Sequence, residues 1–152
     1  MNTETETKSE LHRVFGGWRQ EDGRLAALVD ETRDWMSEVN QLGIPHFGET
    51  AARLEPLRDH LQRHFDQERR MIDKLAELYP TTSPEVRAFR HQTLSDQETL
   101  VARLDDLHRR LMEIDPPFQS WTEAMQEVDV LFEAMQQHEL READRVDMLM
   151  PR

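Results

Sequence analysis

Residues 57–75 read LRDHLQRHFDQERRMIDKL, and residues 131–149 read LFEAMQQHELREADRVDML. In the first stretch Leu57, Leu61, Met71, Ile72 and Leu75 recur at helical spacing, and His64 and Glu68 fall on the same stripe. In the second, Leu131, Met135 and Leu149 bracket His138 and Glu142 in the same way. Residues i and i+4 share a helix face, so each imidazole points inward together with its carboxylate. A charged glutamate facing a core is costly unless something pairs with it. Two such pairs on two helices, facing one interior, are most simply explained by a metal ion.

Proline and glycine mark the limits of these helices. The breaks are Gly43-Ile44-Pro45, Tyr79-Pro80 followed by Ser83-Pro84, and Asp115-Pro116-Pro117. Ser83 is placed to cap the third segment, with Pro84 at its first helical position. The remaining stripes are Asp22, Leu25, Val29, Met36 and Val39 in the first segment, and Leu94, Gln97, Val101, Leu104 and Leu111 in the third. Trp121, Met125 and Val128 open the fourth. Four long helices with short connections predict an all-α, antiparallel up-and-down four-helix bundle. Pro56 lies inside the second segment, so that helix either kinks or begins there. Leu11, Val14, Phe15 and Trp18 precede the bundle, with Gly16-Gly17 as a break. Residues 1–17 are therefore expected to be a flexible arm covering one mouth, and 18–152 a single domain.

Composition narrows the function classes. The 152 residues carry Lys+Arg 19 against Asp+Glu 31, a formal net charge of -12. Phosphate recognition needs clustered basic residues, so neither nucleic acid nor an anionic membrane is an expected partner. With Cys 0 there is no disulfide, thiolate metal site or cysteine nucleophile. Any metal must be held by nitrogen and oxygen, which suits iron, manganese or zinc. Mean hydropathy is -0.81, and no apolar run approaches the roughly 18 residues of a membrane span. The polar, acidic start lacks the features of a signal peptide, so a cytoplasmic location is expected.

Antiparallel helices climb at about 1.5 Å per residue, so counting from the connections locates residues that share a layer. The count places Asp22, His64/Glu68, Gln97/Glu98 and His138/Glu142 at one level. Polar groups from all four helices thus converge. Asp22 has an ordinary role too, as an acid near a helix start. Glu98 could equally flank the stripe in solvent. Gln97 is expected to bond to a neighbouring carboxylate or imidazole. His60 continues the face of His64 one turn earlier, while His12, His46 and His108 belong to surface or loops.

The pairs His64-Phe65-Asp66-Gln67-Glu68 and His138-Glu139-Leu140-Arg141-Glu142 resemble the hemerythrin-like, or HHE cation-binding, family. The resemblance extends from about Trp18 to Pro151. It implies a four-helix bundle with a non-haem di-iron centre, held by histidine and carboxylate ligands, that binds or senses oxygen, nitric oxide or iron. Two positions depart from the family's pattern. Asp22, three residues before Leu25, stands where the first-helix histidine is usual, and Gln97, three before Leu100, stands where the third-helix histidine is usual. His91 precedes Leu94 by three but lies about 9 Å of rise from the layer.

The expected ligands are His64, Glu68, His138 and Glu142, with Asp22 and Glu98 as additional ones. Two histidines with four carboxylates match the ligand types of ferritin-like di-metal bundles. Such a set favours ferric iron, hence oxidation over reversible oxygen carriage. The alternative is a bundle that has lost its metal and acts as an interaction or regulatory module. A redox enzyme such as a ferroxidase or peroxidase would further need an open coordination position and a substrate path.

Overall fold

The structure, a computed structural model, describes residues 3–42, 45–78 and 83–149. Its helices are α1 (Thr3–Gln41), α2 (Phe47–Glu77), α3 (Pro84–Met112) and α4 (Trp121–Leu149). No strand occurs among the described residues, so the chain is an all-α four-helix bundle. Consecutive helices pack together, and α4 closes the ring against α1. Side-chain pairs across the seams establish the directions. On α2 and α3, Arg58 meets Asp105 while Asp73 meets Arg90. Lys74 meets Glu10 and His60 faces Glu21 across α1 and α2. Arg110 meets Glu127 and Thr93 meets Glu142 across α3 and α4. In each case one residue number rises as the other falls, as in antiparallel neighbours. Among the described residues no helix is long and apolar enough to cross a membrane.

The helix boundaries follow local chemistry. The breaks at Gly43-Ile44 and Tyr79-Pro80 lie outside the described residues. Pro84 takes the first helical position after Ser83, as expected, yet the Ser83 hydroxyl meets the Glu85 carboxylate at 3.3 Å rather than a backbone N–H. α4 has the better start: the Glu123 N–H donates to Ser120 Oγ at 3.1 Å. The Glu123 carboxylate in turn accepts from the Gln119 N–H at 2.8 Å, an arrangement close to a capping box. Pro56 lies within α2, so that helix begins upstream of it, at Phe47.

The expected arm at residues 1–17 is corrected by α1, which runs from Thr3 through Gly16-Gly17 without a break. The reason is periodic burial. Leu11 and Trp18 are fully buried and continue the phase of Leu25 and Val29. They pack with Met71, Ile72, Leu75, Phe89 and Val146, so this segment does cover one mouth of the bundle. That burial exceeds the roughly 1 kcal/mol that each glycine costs in a helix interior. A Cβ added at Gly16 or Gly17 would meet nothing within 4 Å. Gly16→Ala with Gly17→Ala is therefore expected to stabilise the protein by about 1–2 kcal/mol in urea denaturation. An unchanged or lowered midpoint would mean that this stretch is not helical in solution.

The core falls into two parts. The larger runs from Leu25 to Val39 on α1, Ala51 to Phe65 on α2, Leu100 to Leu111 on α3 and Trp121 to Met135 on α4. The smaller is the cluster around Trp18 and Met71 at the covered mouth. Between them lie the buried polar side chains His64, Glu68, Thr93, Gln97, His138, Glu139 and Glu142. The bundle is thus an apolar rod with one polar layer across it.

Candidate metal centre

Each helix sends at least one group into this layer. α2 supplies His64 and Glu68, one turn apart, and α4 supplies His138, Glu139 and Glu142. His64 Nε2 lies 2.6 Å from Glu139 Oε2 and 3.0 Å from Glu68 Oε2. The other Glu68 oxygen lies 3.1 Å from His138 Nε2, so one carboxylate spans both imidazoles. Behind His138, its Nδ1 is 3.6 Å from Asp96 and 4.0 Å from Glu142. The Thr93 hydroxyl sits 2.8 Å from each Glu142 oxygen and fixes that carboxylate.

Three overlapping groups have ligand atoms within 4.8 Å of one another: Asp22, His64 and Glu139; Glu68, His138 and Glu139; Asp96, His138 and Glu142. Donor atoms at about 2.1 Å from a common ion lie about 3 Å apart, close to the spacing between the imidazoles and carboxylates here. Buried Glu139 Oε1 also lacks a hydrogen-bond partner, as do the far ring nitrogens His64 Nδ1 and His138 Nδ1. An unpaired buried acceptor such as Glu139 Oε1 is costly, and a cation is one way to satisfy it. The donor set therefore fits a metal ion.

Without one, protons hold the layer together. Burial alone would lower the His64 pKa, but hydrogen bonds to Glu139 and Glu68 outweigh it and push it up to about 10. Burial pushes Glu139 up to about 7 against the pull of His64. Burial also raises Glu142, despite its bond from Thr93. Glu68 goes the other way: burial would raise it, yet His138 and His64 hold it below the usual carboxylate range.

His64, Glu68, His138 and Glu142 are brought together as the stripes predict, and Asp22 joins His64 from α1. Glu142 stands behind His138 rather than between the imidazoles. Glu98 does not join; it is exposed on α3. The inward face of α3 runs through Thr93, Gln97, Leu100 and Leu104, and Glu98 lies a further 100° or so round the helix. Asp96, on the flank of that face nearer α4, takes its place. Among the described residues Gln97 meets neither a carboxylate nor an imidazole. Its carbonyl accepts from Arg69 Nε at 2.9 Å, and its amide lies 3.4 Å from the Phe65 carbonyl. His60 stays 3.9 Å from Glu21, and His91 is exposed.

Sequence reasoning missed Glu139 and Asp96. Glu139 was legible, because a stripe about 100° wide includes i+4 as well as i+3, and Glu139 follows Met135 by four. Asp96 carried no comparable signal. Aromatic rings flank the two histidines: Trp18 stacks on His64 at 5.8 Å and 16°, and Phe65 stands edge-on to His138 at 5.5 Å.

Fold and site together define a four-helix bundle whose buried histidine and carboxylate groups could hold a metal ion. No family model, curated protein or solved structure matches the chain.

Proposed function

We propose that this protein is a non-haem metal-binding bundle of the hemerythrin-like type. Its carboxylate-rich centre holds iron, as a di-iron site or a variant of one, and it binds or handles oxygen, nitric oxide or iron. The observation that carries this reading is the convergence of two histidines and three glutamates, all buried, with Glu139 Oε1 left unpaired. His64, His138, Glu68, Glu139 and Asp22 would hold the metal. Asp96 and Glu142 would orient the His138 ring through its far nitrogen, as outer carboxylates do for ligating histidines. Trp18 and Phe65 pack against the His64 and His138 rings and shield that side of the layer. Bound iron supplies Lewis acidity and redox capacity to such a site. Manganese or zinc suits the same donor atoms.

Elemental analysis of untagged protein, beside the His64→Ala/His138→Ala double variant, tests the proposal. About two irons per chain are expected in the wild type, as in di-metal bundles, and none in a variant that circular dichroism shows still helical. No metal after reconstitution with iron, manganese or zinc would end the metal reading. The second reading, a metal-free interaction module, is favoured by the way His64, Glu68, His138 and Glu139 already pair with one another. It predicts that a chelator leaves the melting temperature unchanged.

A further inference from the structure

The seam between α1 and α4 holds a crevice of about 300 Å³, at the lower end of the range for small-molecule sites. Leu25, Val29, Met135 and Ala143 give it apolar walls. Asp22 and Glu139 line it as well, so it reaches the polar layer. Glu139 is 9% exposed, and its two oxygens differ. Oε2 meets His64, whereas buried Oε1 has no hydrogen-bond partner. At the rim, exposed Arg19 has no ionic partner among the described residues. The α3/α4 crevice bounded by Phe89 and Met148 touches none of the layer's side chains.

We propose that this crevice binds a small, mainly apolar organic molecule carrying one oxygen head group. The head reaches the metal at the edge set by Asp22 and Glu139, so the inference rests on the metal reading above. Three features select that chemistry. The walls would leave a charged body without partners. A carboxylate-rich donor set makes a hard ion, which prefers oxygen donors. Arg19 at the rim offsets part of the negative charge of Asp22 and Glu139 and offers a donor to an oxygen head group. A diatomic molecule, of about the roughly 30 Å³ that one water occupies, would leave most of the space empty.

Phenol is a suitable probe. Titrated into ferric-loaded protein, it is expected to bind saturably and give a phenolate-to-iron charge-transfer band. Ala26 is exposed and lines the crevice without belonging to the layer. Ala26→Phe is expected to keep the full metal content and helicity while weakening phenol binding at least about tenfold, or 1.4 kcal/mol. A loaded protein that gives no band, or an Ala26→Phe variant that binds phenol as tightly as wild type, would overturn the assignment of this crevice. Failure to load any metal would overturn both the metal reading and this inference.

Discussion

Glu68→Ala is expected to cost about 3–5 kcal/mol of stability, because it removes the shared partner of two buried imidazoles. Glu68 is fully buried, and its two oxygens serve His64 and His138 separately. Its loss leaves His138 Nε2 without a partner and His64 with Glu139 alone. For a chain of this length that cost lowers the melting temperature by roughly 6–20 °C. The same variant should bind metal more weakly, since it removes the carboxylate that bonds to both rings and leaves Glu139 alone within reach of the two. Glu68→Gln keeps the shape and one acceptor, so it should fall between Glu68→Ala and wild type in stability. Glu98→Ala is the control. Exposed on α3, it should stay within about 0.5 kcal/mol of wild type. If the alanine variants at 68 and 98 melted together, Glu68 would not be the keystone of the layer.

Metal added to chelator-treated protein is expected to raise the melting temperature by roughly 5–10 °C at a hundredfold excess over Kd. The gain should also increase between about pH 6 and pH 9, because ligands must release protons to bind metal. His64, ordinarily near 6.5, stands at about 10 in the metal-free fold, and Glu139, ordinarily near 4.5, stands at about 7. Both are raised on folding, so the folded state binds these protons more tightly than the unfolded chain. The His64 contribution is complete below about pH 6.5 and fades toward about 10. That of Glu139 is complete below about 4.5 and fades toward about 7. The proton-held layer therefore weakens as pH rises, while competition from protons for the metal falls. Scanning calorimetry with and without metal, across that pH range, reads the difference directly. A gain that stays flat or shrinks with pH would mean that metal does not displace these protons.

Much of this architecture follows from local pattern. The stripes in residues 57–75 and 131–149, with the Pro-rich breaks, determine the number of helices and which faces turn inward. Helix rise alone brings Asp22, His64, Glu68 and His138 to one level, because antiparallel neighbours joined by short connections keep a common register. Gly16-Gly17 misleads for a physical reason. The cost of two helical glycines is local and visible in sequence, whereas the burial of Leu11 and Trp18 against α2, α3 and α4 that offsets it is not.

Within the layer, the sequence by itself determined the chemistry available: imidazoles and carboxylates, no thiol, and an excess of negative charge. Only the tertiary structure decided how those groups are used. It turned Glu98 into solvent and Asp96 toward His138, set Glu142 behind that ring, and brought Glu139 to His64 and to the crevice between α1 and α4. Those choices depend on helix rotation and on how closely each pair of helices packs. A rotation of about 100° moves a side chain from core to solvent without altering the period from which a helix is recognised.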